Sequence, residues 1–257
     1  MLLSIWLLPQ EHLVMWKHSV LLHRRCIQTS ATTLKKAPQN LKGKSPADQR
    51  WIVRQLKDPF VKAAHVQNYR CRSAFKLLEI DDKHKILRPG FSVVDCGAAP
   101  GAWSQVAVQR VNATGENPEQ PCGFVIGVDL LHIAPVDGAH FLTNQDITSP
   151  ATHVELQRLL PGGLADVILS DMAPNASGFR EMDHERLITM CLSLLDLSDK
   201  VLTPGGCLVC KCWDGGLTWK LQQGLAEIFK EVKTVKPKAS RKESAELFFL
   251  AKLFKKR

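Results

Sequence analysis

The chain has 257 residues, 45% of them hydrophobic, and carries 34 lysines and arginines against 25 aspartates and glutamates, a formal charge of +9. That length and apolar content suit one substantial folded domain with an added tail. The basic excess favours a polyanionic partner, and the eight scattered cysteines, several inside apolar runs, point away from a disulfide framework and towards buried thiols in a reducing compartment.

The N-terminus is a different kind of sequence. Between His12 and Ala47 there is no acidic residue, whereas Lys17, Arg24, Arg25, Lys35, Lys36, Lys42 and Lys44 are cationic and Ser30, Thr32 and Thr33 cluster. This acid-poor leader, residues 1–44, reads as a mitochondrial presequence. Residues 1–8 are apolar but stop at Pro9, too short for a membrane span. A secretory signal fits less well, because the basic residues follow the apolar run. No other stretch reaches the ~18 apolar residues of a transmembrane helix. Residues 45–257 are expected to form a single domain.

Helices are predicted over 47–56, 59–66 and 69–80, with Arg50, Arg54, Lys57 and Lys62 exposed. A strand at 92–95 ends in an acid and enters a turn of small residues, Gly97, Ala98, Ala99, Pro100 and Gly101. A helix at 103–111 follows. Small residues let backbone amides approach a ligand, and the helix N-terminus adds partial positive charge. The turn has neither the Gly-Lys-Ser/Thr of a Walker loop nor G-x-G-x-x-G spacing. Residues 112–121 read as a surface insertion.

Further strands are predicted at 124–129, 140–143 and 165–170, then a long helix at 183–202 stopped by Thr203, Pro204, Gly205 and Gly206. A strand at 207–213, a helix at 217–229 and strands at 231–236 and 246–253 complete the chain. Alternating elements imply an α/β fold: a doubly wound, mostly parallel seven-stranded sheet with helices on both faces. Ligands then sit at the strands' carboxyl ends. The last two strands are expected to form an antiparallel edge.

Acids stand at the ends of the first four strands. Asp95, Asp129 and Asp171 end theirs, and Asp146 follows the third, just before Ile147. One such acid alone could be a helix or turn cap; four together point to a ligand. At Asp129, a carboxylate can accept from both ribose hydroxyls of a nucleoside. Asp146 is suited to an adenine amino group. Lys211 ends the fifth strand between Cys210 and Cys212 in an otherwise apolar run. Lysine is almost never buried without a partner. Desolvation favours the neutral amine and a nearby carboxylate opposes it, so such a lysine is a candidate general base. Cys207 and Cys210 have a zinc-like C-x-x-C spacing, but no second pair completes four ligands, and strand alternation separates them.

The D-x-G-A-x-P-G turn resembles the first motif of S-adenosylmethionine-dependent methyltransferases. The wider chain resembles the FtsJ/RrmJ family of RNA ribose 2′-O-methyltransferases. The matching pieces are Tyr69-Arg70 with Ser73-Ala74-Phe75-Lys76-Leu77, the turn from Asp95 to Gln105, and Ser170-Asp171-Met172-Ala173-Pro174-Asn175. Pro204-Gly205-Gly206 with Val209-Cys210-Lys211, and Lys236-Pro237 through Ser240-Arg241 to Glu246, match as well. Two departures stand out: Ala102 where many members have glycine, and Phe248 where a tyrosine is frequent. The resemblance implies a Rossmann-like methyltransferase fold and a catalytic tetrad of Lys76, Asp171, Lys211 and Glu246. Glu243 lies close enough to compete, but Glu246 opens the final strand.

The resemblance also implies S-adenosyl-L-methionine as cofactor. Asp95, Gly97, Ala98, Ala99, Pro100, Gly101, Ala102, Trp103, Asp129, Asp146, Ile147 and Asp171 would hold it, and no metal is required. Lys211 would be the base, Asp171 would orient it and the acceptor hydroxyl, Lys76 would hold the ribose-phosphate, and Glu246 would fix the lysine geometry. Arg50, Arg54, Lys57, Lys62, Arg70 and Arg72 would bind phosphates. The compact chain looks most like the ribosomal RNA branch of the family. With the leader, that implies a protein of the mitochondrial matrix acting on a uridine in the A-loop of large-subunit rRNA, within a pre-ribosomal particle. A tRNA methyltransferase of the same family and an rRNA-binding assembly factor are the alternatives. A small-molecule methyltransferase fits less well, because a basic helical region stands where an apolar substrate lid is expected. The sequence sets no oligomeric state.

Overall fold

The computed structural model describes residues 43–255, so the predicted presequence lies outside the described residues except for its last two positions. The chain divides into two compact units, with the boundary between Lys57 and Asp58. The first ends in helix α1 (Pro46–Lys57). Ser45 heads it, its Oγ accepting from Asp48 N at 3.1 Å.

The second unit holds the expected sheet. Its helices are α2 (Pro59–Val66), α3 (Ala74–His84), α4 (Ala102–Val111), α5 (Pro150–Leu159), α6 (Arg180–Val201) and α7 (Thr218–Ile228). Its strands are β1 (Ser92–Cys96), β2 (Phe124–Asp129), β3 (Ala139–Thr143), β4 (Ala165–Ser170), β5 (Leu202–Trp213), β6 (Phe229–Val235) and β7 (Glu246–Phe254). The seven strands form one sheet in the order β3-β2-β1-β4-β5-β7-β6. The pairings from β3 through β5 are parallel. β7 is antiparallel to both β5 and β6, so the last two strands build the antiparallel edge, with β7 on its inner side.

The central strands are apolar on both faces because helices cover both. Every residue of β1 is buried. One core cluster, on one face, joins Val93, Val167, Val209 and Phe248 to Leu77 and Ile80 of α3 and Val106 of α4. The other joins Val94, Ile168, Leu208 and Cys210 to Leu156 of α5, Leu194 of α6 and Leu225 of α7. Cys207 lies in the first cluster and Cys210 and Cys212 in the second, so alternation does place them on opposite faces. Among the described residues the cysteines are free thiols, no cluster of His, Cys, Asp and Glu is arranged to hold a metal, and no helix is long and apolar enough to cross a membrane.

Three elements differ from the sequence reading. The fifth strand was expected at 207–213 but spans Leu202–Trp213, taking in the residues read as the turn after the long helix, because Leu202 already pairs with Ala165 of β4. The third helix was expected at 69–80 but starts at Ala74 and runs to His84. Asn68 has positive φ, and Arg70 N donates to Gln105 Oε1, which takes the segment before Ser73 out of the helical pattern. At the other end the buried Asp81 carboxylate accepts from Ile86 N and Leu87 N at 3.0 and 2.9 Å and so turns the chain into β1. Helix α5 was not expected at all. Its start signal, Ser149 followed by Pro150 at the first helical position, is present in the sequence. Its apolar stripe is weak, and Val154 faces solvent.

Candidate active site

The parallel register aligns the carboxyl ends of five strands. Cys96 lies beside Val128 and Ser170, Asp129 beside Thr143, and Ser170 beside Cys210. Asp95, Asp129, Asp171 and Lys211 therefore gather at one edge. Glu246 comes from the opposite direction. Because β7 runs antiparallel, its first residue pairs with Trp213 at the same edge.

The predicted tetrad is assembled. Lys211 is 7% exposed, and its Nζ is 3.1 Å from Asp171 Oδ1 and also donates to the Asp171 carbonyl. Lys76 Nζ, from the first turn of α3, lies 3.5 Å from the same Oδ1 and 2.8 Å from Glu246 Oε2. Asp171 Oδ1 thus faces two lysine nitrogens, yet neither contact has hydrogen-bond geometry, and among the described residues this buried oxygen has no hydrogen-bond partner. Of the two candidate glutamates, Glu246 is the one placed against Lys76. Phe248 packs its ring 5.7 Å from Trp103 and 5.6 Å beneath Lys76 Nζ, filling the place of the frequent tyrosine with apolar and cation–π contact.

Two serines support this group that sequence reasoning had not singled out. Ser73 Oγ donates to Asp171 Oδ2, while Ser73 accepts from the indole N–H of Trp103. Ser240 Oγ donates to Glu246 Oε1 at 2.7 Å. Both stood inside quoted motifs, and only their spatial neighbours reveal their task. The β6–β7 loop that carries Ser240 is itself anchored: Glu79 accepts from Lys238 N and Ala239 N.

The predicted cofactor residues lie along the same edge of the sheet, in several distinct roles. Asp129 Oδ2 accepts from Ala99 N at 2.9 Å and Oδ1 from Leu131 N at 2.8 Å, so it pins the small-residue turn to β2. Gly97 N and Ala98 N donate to Val128 O. Gly101 has φ +104, and a side chain there would meet Arg70 Nη1 at 2.6 Å. Ala102 is buried at the head of α4. Asp146 is exposed and uses Oδ1 to bind Thr148 N and Oγ1. Ile147 is buried in the core cluster beside α5. Trp103 is also buried, with its polar end turned to Ser73, so the geometry gives it a supporting task.

Asp95 is 1% exposed. It accepts from Ser104 Oγ at 2.7 Å. Burial pushes its carboxyl up to about 7, the Ser104 hydroxyl pulls the other way, and the charges of Asp171 and Asp129 raise it further. Asp95, Asp129 and Asp171 set carboxyl oxygens beside the turn. A cationic ligand bearing a sulfonium and an ammonium group fits that donor set, so the residues present suit S-adenosylmethionine.

The phosphate role expected of Arg70 and Arg72 is corrected. Arg70 donates to the carbonyls of Pro100, Ala134 and Pro135 at 2.8, 2.6 and 2.5 Å. Arg72 pairs with Asp58 at 2.8 Å and donates to Ala239 O. These guanidinium groups tie loops of the site together. Arg50, Arg54, Lys57 and Lys62 are exposed, as expected.

Comparison with known proteins agrees with this geometry. The family model for FtsJ-like methyltransferases matches residues 69–254. The mitochondrial rRNA methyltransferase 2 of Drosophila melanogaster is 48% identical over 86% of this chain and 88% of its own length. The ribosomal RNA large subunit methyltransferase E of Ruegeria pomeroyi is 43% identical over 86% of this chain and 94% of its own. A crystal structure of a ribosomal RNA methyltransferase from Plasmodium falciparum superposes with a TM-score of 0.63 at 27% identity, covering 74% of this chain and all of that one. With its sheet order, its four-residue charged cluster and this breadth of similarity, the chain belongs to the FtsJ-like methyltransferase family.

Proposed function

We propose that this methyltransferase modifies a ribose 2′-hydroxyl of large-subunit rRNA, using S-adenosylmethionine, in the mitochondrial matrix. The target is a uridine of the A-loop within a pre-ribosomal particle. The observation that carries the reading is Asp171 Oδ1, buried between Lys76 and Lys211 without a directed partner. It is an acceptor waiting for a hydroxyl. The names of the similar fly and bacterial proteins support rRNA as substrate. The acid-poor leader supports the mitochondrion.

When bound, the cofactor supplies an already activated methyl group. Asp129 and Asp146 would hold its nucleoside end and the turn from Gly97 to Gly101 would approach its polar groups. The remaining chemistry belongs to the chain. A 2′-hydroxyl is a poor nucleophile and must lose its proton as the new bond forms. Asp171 Oδ1 accepts from it and fixes its direction. That proton then passes from Oδ1 to Lys211 Nζ, 3.1 Å away, as the oxygen–methyl bond forms. Lys76 holds the ribose-phosphate while Glu246 and Ser240 hold Lys76. Positioning then carries much of the acceleration.

The test is ribose-methylation mapping of mitochondrial rRNA with and without the protein, and after return of wild type or Lys211→Ala. Loss of one A-loop methyl mark, restored only by wild type, is expected. An unchanged map, with methyl transfer to tRNA instead, refutes the substrate. Full ribosome assembly with the Lys211→Ala protein would favour an assembly factor in which catalysis is secondary. Imaging of the full chain outside mitochondria would refute the location.

A further inference from the structure

The loops after β4 and β5 leave two large aromatic side chains in solvent. Phe179 is 69% exposed and Trp219 58%. Single exposed aromatics are common on protein surfaces. These two differ in where they stand and how firmly they are held. Phe179 closes the loop that begins at Asp171, and Trp219 follows the loop that begins beyond Lys211 and Trp213. Both loops therefore leave the catalytic edge of the sheet.

Each loop is braced by its own hydrogen bonds. The Asp183 carboxylate accepts from Ser177 N at 2.9 Å, from Ser177 Oγ at 2.7 Å and from Gly178 N at 3.3 Å, fixing the turn that presents Phe179. Thr218 Oγ1 accepts from Gly215 N at 3.0 Å and donates to Trp213 O at 3.2 Å, fixing the turn that presents Trp219. His184 of α6, next to Asp183 in the chain, binds the second loop, its Nε2 accepting from Leu217 N at 3.1 Å. The aromatics are thus displayed from a single braced rim. Cations accompany them: Lys220 Nζ lies 5.9 Å from the Trp219 ring centre, and Arg180 is exposed beside Phe179.

We infer that Phe179 and Trp219 are stacking platforms for unpaired RNA bases flanking the methylated ribose. This rests on the RNA-methyltransferase reading and adds the means of recognition. Aromatic faces with adjacent cations suit bases and phosphates together, because a base stacks on the ring while the cation meets the backbone. A paired helix hides its base faces, so this rim selects single-stranded or splayed RNA. Bracing matters because loops held in advance lose little freedom on binding.

The test measures binding of a short fluorescent uridine-rich single-stranded RNA, and of its duplex, to the full-length protein. Phe179→Ala and Trp219→Ala should each weaken single-strand affinity by roughly 5- to 100-fold. Trp219→Tyr should recover most of the loss. Cofactor affinity and duplex affinity should stay as in wild type. The slope of log affinity against log salt should not change, since no phosphate contact is removed. Alanine variants that bind the single strand like wild type would overturn the inference. So would an equal loss on the duplex, or a flatter salt slope. Methyl transfer by the wild-type protein is scored separately: if it methylates RNA and the variants bind normally, the stacking idea fails alone; if it methylates no RNA, the functional reading fails.

Discussion

Replacing Asp95 with asparagine should remove a pH-dependent cost of folding. Asp95 is 1% exposed, and burial together with the charges of Asp171 and Asp129 lifts its carboxyl from 3.8 to about 7. Between those two values the unfolded chain has released the proton and the folded chain still holds it. The native state then binds more protons, so stability falls as pH rises through this window and levels off above the folded value. The gap corresponds to about 4 kcal/mol, of which roughly 3 kcal/mol falls above pH 5. Asparagine has nearly the same shape, does not ionise, and leaves the Ser104 hydroxyl a partner. Urea unfolding of wild type and Asp95→Asn from about pH 5 to about pH 8 isolates this group, because titrations not coupled to Asp95 cancel in the difference and the coupled carboxyls Asp171 and Asp129 ordinarily titrate below that range. The variant should gain roughly 3 kcal/mol on wild type across that range. A difference that stays constant with pH would show that Asp95 does not titrate there and that the buried-carboxyl reasoning is wrong.

Lys211→Ala should slow single-turnover methyl transfer roughly 100- to 10,000-fold with both ligands still bound, and Lys211→Arg should not rescue it. A near-normal rate would place the base elsewhere. Asp129→Ala and Asp146→Ala should each weaken cofactor binding by about 1–3 kcal/mol in calorimetry, and unchanged affinity in both would remove them from the site. Arg70→Ala frees the carbonyls of Pro100, Ala134 and Pro135. It should lower cofactor affinity about tenfold or more while sparing RNA binding. The opposite pattern would return Arg70 to a phosphate role.

Much of the fold was legible because its signals are local. β1 and β4 announce themselves as short apolar runs with an acid at their carboxyl ends, Asp95 just inside β1 and Asp171 just after β4. The small-residue turn and the Gly205-Gly206 stop are chemistry of neighbouring residues. The tetrad was legible for a different reason. Its members stand in recognisable motifs, and Lys211 in an apolar run is conspicuous by itself. The sequence could not say what each polar group meets. Arg70 and Arg72 look like phosphate ligands in a basic stretch, yet they meet carbonyls 30 to 167 residues away, and Arg72 also meets the Asp58 carboxylate. Ser73 and Ser240 look like any helix-start or loop serine until Asp171 and Glu246 arrive beside them. Glu246 reaches the site only because β7 enters antiparallel between β5 and β6 and so begins where β5 ends. Helix α5, with its weak apolar stripe, becomes readable only once Leu156 is seen packed on the sheet. Strand period, turn chemistry and acids at strand ends are written within a few residues and were determined by the sequence itself. Which charge pairs with which depends on long-range closure of the sheet, and that was decided by the tertiary structure.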